Sequence, residues 1–310
     1  MWVAKWDDKL RGREKYIWLS DTSVPKQKRE IEKFDKALEL ENLIGKIRTH
    51  IDSGLSSDDP KRRKIATVCY LIDALKFRVG DEKDKDEADT VGATTLRPEH
   101  IKIKPNGLTT FDFLGKDSVR FQKDIMLPEA VVKNILEFKK DAKSHMFKGV
   151  RSDNVREFLS EVSPGLTAKV FRTYHATKVV KEYLKKADIS KEDPSYLKRH
   201  VATMANLEAA KICNHKRKLP SKWHESLAKK MERLKKLRSM KTKKSRERVE
   251  ELKVRIDTIK ATRDYNLGTS LKSYIDPRAY SEWFREIDFD WKLFYTKTLQ
   301  RKFSWVKWES

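Results

Sequence analysis

The most constraining feature of the sequence is a change in the period of its apolar residues. Residues 25–79 carry apolar side chains at helical spacing, whereas the segments TTLRPEHIKI, LTTFDFL and SVRFQKDI alternate apolar and polar residues. Turn-forming pairs and triplets separate these segments, Asn-Gly at 106–107 and Gly-Lys-Asp at 115–117. Helical spacing then returns. The pattern predicts an α+β protein, mainly α, with one three-stranded antiparallel sheet.

Two long helices are expected before the sheet. The first covers residues 25–56. The second begins after the capping run SSDDP and is expected to end at Gly80, because glycine is common just past a helix C-terminus. Arg78 would then lie in the last turn of that helix.

A strongly basic stretch divides the rest of the chain. Residues 219–263 contain sixteen Lys or Arg against six Asp or Glu, and apolar residues repeat near heptad spacing on both sides of KTKKS. This pattern predicts an antiparallel coiled-coil linker hairpin that projects from the body. The remaining parts are predicted strands in residues 1–20, a catalytic or binding core at 21–218, and a small aromatic-rich helical C-terminal domain at 264–310.

The chain carries a large excess of positive charge. Lys and Arg total 70 against 47 Asp and Glu, a formal net charge of +23. This surplus indicates a polyanionic partner, with nucleic acid as the first candidate and an anionic membrane surface as the second. No apolar run approaches the roughly 20 residues of a membrane-spanning helix, so no membrane partner is expected. Cys69 and Cys213 lack metal-binding spacing and are expected to be reduced core thiols.

Five polar or charged residues stand out, although each has an ordinary explanation. Tyr274 could simply pack its ring, Arg78 could be solvated at a helix end, and Lys116 could be exposed at a hairpin tip. His215 could be a structural histidine. Arg172 is harder to explain in this way, because its apolar neighbours indicate burial and a buried arginine needs an anion or a partner.

Taken together, the five residues are a complete set for cleaving a phosphodiester. A tyrosine can act as nucleophile, arginine and histidine can donate to the non-bridging oxygens, and lysine can protonate the leaving 5′ oxygen. No carboxylate cluster for a metal and no GxxxxGK[ST] loop for a nucleotide are evident. We therefore expect neither a metal requirement nor ATP.

The residues lie in five ordered blocks: LIDALKFRVGDEKDKDEADTVGATTLRPEHI, FDFLGKDSVR, GLTAKVFRTYHAT, ICNHKRK and LGTSLKSYIDPR. These blocks closely resemble the signature blocks of the eukaryotic-type (type IB) DNA topoisomerases, and the resemblance extends from KYIWL to KFSWVKW. It implies the catalytic core shared with tyrosine recombinases, and relaxation of supercoils through transient nicking. It also implies that Tyr274 forms a 3′-phosphotyrosyl link, that Arg78, Arg172 and His215 clamp the scissile phosphate, and that Lys116 acts as general acid from the minor groove.

The resemblance also implies a partner and its contacts. Double-stranded DNA would be bound by a monomer through Lys116, Asp117, Lys169, Lys216, Arg217 and Lys272. Family members carry a cap lobe, of which residues 1–20 would be the last strands, so a separate or missing N-terminal cap segment is expected. The expected location is cytoplasmic and nucleoid-associated for an archaeal or viral protein, and nuclear for a eukaryotic one.

Two other functions remain open from the sequence. A tyrosine recombinase uses a similar Arg-Lys-His-Tyr set, but it needs four protomers and a specific target site. A non-catalytic architectural DNA-binding protein would account for the charge, although not for the sequence surroundings of Arg172, His215 and Tyr274.

Overall fold

The computed structural model describes residues 2–80, 90–140, 142, 144–240 and 242–308, and the Asp117 side chain lies outside this description. The chain is mainly helical. Its strands and helices, in chain order, are β1 (Trp2–Asp8), β2 (Arg13–Trp18), α1 (Val24–Leu55), α2 (Pro60–Leu75), β3 (Ile101–Ile103), β4 (Leu108–Gly115), β5 (Val119–Met126), α3 (Glu129–Lys140), α4 (Ser152–Ser160), α5 (Ala168–Lys185), α6 (Ser195–Ile212), α7 (Trp223–Ser239), α8 (Lys243–Ala261), α9 (Leu267–Ser273), α10 (Pro277–Glu286) and α11 (Lys297–Lys302).

The alternating segments form the predicted antiparallel sheet, in the order β3-β4-β5. Its first strand is shorter than expected, because Pro98–His100 forms a 3₁₀ turn and leaves only Ile101–Ile103 to pair with β4. Strands β4 and β5 pair along their whole length up to Gly115 and Val119. Lys116–Ser118 closes this hairpin as one 3₁₀ turn. The predicted strands in residues 1–20 are the β1-β2 hairpin, whose aromatic side chains are exposed.

Two hydrophobic cores organise the body. The first contains residues of the five helices α1 through α5 and of the three-stranded sheet, with Leu40, Leu71 and Phe111 among its fully buried members. The second joins α5 and α6 to α9, α10 and α11. Phe34 of α1 belongs to the second core and stacks on Trp305, with ring centroids 6.1 Å apart. The C-terminal helices therefore pack on α1, α5 and α6.

The basic stretch folds into two antiparallel helices, α7 and α8. Leu237, Val249, Leu252 and Ile256 form a small core of their own between these helices, as the heptad pattern predicts. The far end of α8 rests on α6, where the His200 Nδ1 atom lies 2.6 Å from the Thr258 hydroxyl oxygen.

The predicted end of the second helix was wrong. Helix α2 ends at Leu75, and the next residue, Lys76, adopts a left-handed conformation with φ of 60°. The apolar stripe does continue to Val79. However, the Lys76 carbonyl bonds to a side chain that is distant in sequence and not to an amide of the same helix. The Lys76 carbonyl accepts a hydrogen bond from Arg172, 2.6 Å away. A long-range contact therefore ends this helix.

Candidate active site

Arg78 lies on an extended segment and not in the last turn of a helix. Its carbonyl accepts a hydrogen bond from the Ala93 amide at 2.9 Å, and the Val79 carbonyl accepts one from the Thr94 amide at 2.8 Å. Gly80 and Gly92 meet at the end of this pairing, where a Cβ on Gly92 would lie 2.4 Å from the Gly80 Cα. Both positions therefore need glycine, and their close approach fixes the backbone that carries Arg78.

Arg172 is buried at the centre of the site, on the second turn of α5. Its guanidinium donates to the Lys76 carbonyl at 2.6 Å and to the Cys213 carbonyl at 2.9 Å, so it joins the ends of α2 and α6. Among the described residues no carboxylate pairs with it, and its Nε atom is buried without a hydrogen-bond partner. A buried cation whose described acceptors are all neutral favours an incoming anion.

His215 follows α6 and lies beside Arg172. Its Nε2 atom is 3.2 Å from the Arg172 guanidinium, which can only donate, so Nε2 accepts and the ring proton sits on Nδ1. The Nδ1 atom is buried without a partner. Burial, followed by the charges of Arg172 and Arg78, lowers the pKa of His215 to about 3. The ring is therefore neutral at physiological pH.

Tyr274 directly follows the last residue of α9, and its ring lies against Arg172, Arg78 and His215. Its ring centroid is 5.0 Å from the Arg172 guanidinium carbon, 6.0 Å from that of Arg78 and 5.2 Å from the His215 ring. The side chain is only 4% exposed. Within the described part of the chain, no group hydrogen bonds to its hydroxyl, so the phenol oxygen is uncommitted.

The residues before Tyr274 form the short helix α9. Asn266 caps α9 by accepting from the Thr269 amide, and Gly268 and Ser270 lie inside the helix. Ser270 is fully buried and donates to the side chain of Asn206 on α6 at 2.6 Å. Asn206 also donates to the Leu267 carbonyl at 3.1 Å. These contacts hold the short helix on the core and so fix the backbone position from which the Tyr274 side chain extends.

A cavity of about 560 Å³ opens beside this group. Eight Lys or Arg residues line it, and within the described residues no Asp or Glu does; the eight are Lys76, Arg78, Lys116, Arg120, Arg172, Lys216, Arg217 and Lys218. Such a one-sign lining favours a polyanion. The hairpin tip thus brings Lys116 to the same cavity as Arg78, Arg172 and His215, while the Tyr274 ring packs behind those three.

The predicted DNA-contacting residues fall into three groups. Lys116, Lys216 and Arg217 line the cavity, although the Arg217 side chain also donates to the Arg263 carbonyl at 3.1 Å. Lys169 and Lys272 are exposed and lie outside the cavity lining. The Asp117 side chain lies outside the described residues.

Sequence reasoning missed several residues of the cavity wall, chiefly Lys76, Arg120, Lys218 and Asn214. Asn214 has a φ of 52° and donates to the Arg120 carbonyl at 3.1 Å, which joins the His215 loop to the sheet. Asparagine tolerates the left-handed region, so the pair Asn-His was a usable signal. Nothing in the local pattern marks the other three.

Neither a metal site nor a membrane-spanning helix is present in the part of the chain that the structure describes. No group of three or more His, Cys, Asp or Glu side chains is placed to hold a metal ion in this part of the chain. No helix in the same part is long and apolar enough to cross a membrane. Both cysteines, Cys69 and Cys213, are buried and free, as expected.

Comparison with known proteins identifies the family. Residues 22–268 match the family model for the eukaryotic DNA topoisomerase I catalytic core, and residues 246–309 match the C-terminal topoisomerase domain. The chain belongs to the eukaryotic DNA topoisomerase I family. It is 33% identical to DNA topoisomerase 1 of Drosophila melanogaster and 31% identical to that of Homo sapiens, in each case over 98% of this chain.

A third topoisomerase I relative, the mitochondrial DNA topoisomerase I of Rattus norvegicus, is 31% identical over 99% of the chain. The chain spans 34% of the Drosophila protein, 45% of the human protein and 58% of the rat mitochondrial protein. The two family models together cover both hydrophobic cores and the linker of this topoisomerase I chain, so the fold predicted from the sequence, a mainly helical core with a small antiparallel sheet, is confirmed.

Proposed function

We propose that this chain carries the activity of a type IB DNA topoisomerase: it nicks one strand of duplex DNA, lets the free 5′ end swivel, and reseals the strand. One observation carries the proposal. The ring of Tyr274 packs against Arg172, Arg78 and His215, and these last three line a cavity walled by eight cationic side chains. This arrangement supports a site in which a nucleophile, phosphate donors and a proton donor would act on one bound phosphate.

Each residue has a role in a balanced reaction. The Tyr274 oxygen attacks the scissile phosphorus while its phenol proton passes to water. A 3′-phosphotyrosyl bond forms as the bond between the phosphorus and the 5′ oxygen of the next nucleotide breaks. Lys116 on the hairpin tip gives that oxygen a proton. Arg78 and Arg172 bind the non-bridging oxygens, where charge accumulates in the transition state. Resealing is the reverse reaction, with the 5′ hydroxyl as nucleophile.

His215 needs a phosphate before it can help. In the free protein its Nε2 atom accepts from Arg172 and cannot donate. A phosphate oxygen would draw the guanidinium away and would offset the two positive charges that, after burial, hold the pKa of His215 low. Nε2 could then carry a proton and donate to the non-bridging oxygen. DNA binding would thereby complete the site.

The energetics of this reaction require neither ATP nor a metal. The phosphotyrosyl bond conserves the free energy of the phosphodiester, so resealing needs no further input. The two guanidiniums and the imidazole would supply the charge stabilisation that a metal supplies elsewhere. DNA binding would rest on phosphate contacts, including those of Lys169, Lys216 and Lys272, with Asp117 beside the hairpin tip. It should therefore depend steeply on salt.

Further properties belong to the same proposal. A monomer would suffice, since all five residues come from one chain. The basic linker would lie near the downstream duplex and slow its rotation. A cap segment opposite the cavity, from further chain or a second protein, would tighten binding. The nucleus or the mitochondrion is the proposed location, since the relatives named above are eukaryotic and one is mitochondrial.

A tyrosine recombinase remains the second candidate by chemistry, since it shares the residue types. The family match and the long basic linker favour a topoisomerase. Relaxation of a supercoiled plasmid separates these alternatives, assayed in EDTA without nucleotide and over a range of protein concentrations. We expect relaxation at a rate proportional to protein concentration on plasmids of unrelated sequence, and none with Tyr274→Phe. Fourth-power concentration dependence with a defined site would indicate a recombinase, and binding without relaxation an architectural protein.

A further inference from the structure

A network of charged and polar side chains follows Tyr274 and ties the nucleophile's backbone to two helices of the core. We propose that Arg278 is the positioning residue at its centre: it locks Asp276 and docks the C-terminal helices on α1, and so sets where the Tyr274 hydroxyl lies. This inference rests on the proposed function, since it assigns a role within the same site.

Arg278 encloses the carboxylate of Asp276. Its Nε atom lies 3.1 and 3.0 Å from the two carboxylate oxygens, its second terminal nitrogen lies 2.7 Å from Oδ2, and its own backbone amide donates to Oδ1 at 2.9 Å. The last bond is the N-terminal cap of α10. Asp276 is 7% exposed, so its negative charge is stabilised by these donors and not by water.

The other side of the guanidinium reaches α1. Its Nη1 atom donates to the carboxylate of Asp35 at 2.7 Å, across 243 residues of sequence. The guanidinium carbon also lies 5.6 Å from the ring of Trp305, which stacks on Phe34 of α1. Burial opposes the charge of Arg278, but Asp276 and Asp35 outweigh it and raise its pKa. The arginine therefore bridges α10 to α1 as a permanent cation.

Asp276 passes this constraint to Tyr274 through Thr177 on α5. The Asp276 amide donates to the Thr177 hydroxyl at 2.9 Å, and that hydroxyl donates to the Tyr274 carbonyl at 3.4 Å. The amides of Tyr274 and Ile275 both donate to the Ser270 carbonyl. The two residues before Asp276 are thus held between α9, α5 and the Arg278 network.

The backbone must do this positioning because the phenol itself is not held. Within the described residues the Tyr274 hydroxyl makes no hydrogen bond, and its ring contacts are with the groups that a phosphate would engage. A displacement of about 1 Å at a reacting atom can cost on the order of 10²-fold in rate. The contacts of Arg278 with Asp276 and Asp35 are called the clamp below. Loss of this clamp should therefore reduce the cleavage rate more than it reduces DNA binding.

The test compares Arg278→Ala, Arg278→Lys and Asp35→Asn with a matched control, Arg285→Ala, which removes an exposed arginine from the last turn of the same helix. Single-turnover formation of the covalent adduct gives the rate, and DNA affinity is measured for each variant in a Tyr274→Phe background. We expect Arg278→Ala to cleave about 10- to 100-fold more slowly with affinity changed less than about twofold. Arg278→Lys should restore only part of the rate, because lysine lacks the bidentate fork.

Asp35→Asn should slow cleavage by a smaller factor, about three- to tenfold, because it breaks only the α1 side of the bridge. Its carboxylate is at the surface, so it decides the matter if Arg278→Ala fails to fold. Wild-type rates for both Arg278→Lys and Asp35→Asn would overturn the inference, as would equal slowing by Arg285→Ala.

Hydrogen–deuterium exchange over residues 270–280 separates this inference from the proposed function. Faster exchange in Arg278→Ala and Asp35→Asn, but not in Arg285→Ala, supports the clamp even if the wild-type chain forms no adduct. An adduct in the wild type with unchanged exchange and unchanged rates in both variants rejects the clamp and leaves the proposed function standing.

Discussion

At the scale of single residues, the site is marked by positive charges that no described carboxylate neutralises. Arg172 is 6% exposed, and among the described residues its guanidinium donates to two carbonyls and an imidazole nitrogen. His215 beside it is kept neutral by burial and by the two arginines. The described part of the site thus carries positive charge that a bound phosphate would neutralise. The apolar neighbours of Arg172 in the sequence predicted its burial, but the tautomer of His215 depends on a neighbour 43 positions away.

The lowered pKa of His215 makes stability depend on pH. Its pKa is about 3 in the folded chain against 6.5 ordinarily. Between these values the unfolded chain binds a proton that the folded chain does not, so stability falls as pH falls below about 6.5. From pH 6.5 to pH 5, wild type should lose on the order of 1–2 kcal/mol more than His215→Gln. Urea unfolding at both pH values measures this; equal losses in the two proteins would contradict it.

At the scale of elements, the end of α2 shows what periodicity cannot decide. The apolar stripe through Val79 is compatible with a longer helix, and sequence reasoning placed its end at Gly80. The helix ends five residues earlier because the Lys76 carbonyl serves Arg172 and because the segment behind it pairs with Ala93 and Thr94. Both causes are long-range contacts. The β4-β5 hairpin was predictable for the opposite reason, since its alternation and its turn residues are local.

The left-handed conformation of Lys76 should matter more than its charge. Lys76→Gly removes the ammonium and accepts φ of 60° without strain. Lys76→Val also removes the ammonium, but a β-branched residue in this region costs about 1–2 kcal/mol. We expect Lys76→Gly to retain adduct formation within about threefold and Lys76→Val to lose about tenfold, because the latter shifts the carbonyl that holds Arg172. Equal loss in both variants would assign the effect to the charge instead.

At the scale of the whole molecule, the α7-α8 linker hairpin can be removed without separating the segments that flank it. Its two flanks are already joined at the base, where Lys216 bridges to Tyr265 and the Arg217 amide donates to the Asp264 carbonyl at 3.0 Å. The predicted hairpin could be read from the sequence because heptads are local. The shared second core, which unites Phe34 with the C-terminal helices, could not, because no spacing rule connects positions so far apart.

Replacing residues 222–262 by a short Gly/Ser bridge should leave adduct formation intact. It should make DNA affinity less dependent on salt, since phosphate contacts are lost, and it should speed swivelling in a single-molecule rotation assay. A chain with glutamine in place of the linker lysines Lys229 and Lys230 keeps the helices and should show a smaller shift in the same direction. Unchanged rotation and an unchanged salt slope would contradict the proposed role of the linker.

The central claim is that the Tyr274 oxygen attacks a DNA phosphorus and retains the 3′ end. It is tested most directly by denaturant trapping on a duplex whose scissile strand is labelled at its 5′ end, with a second duplex labelled at the 3′ end. We predict that the 5′ label, and not the 3′ label, becomes attached to the protein in the wild type. Tyr265→Phe should behave like wild type and Tyr274→Phe should give no adduct. Absence of adduct in the wild type, attachment of the 3′ label, or undiminished adduct in Tyr274→Phe would contradict the account.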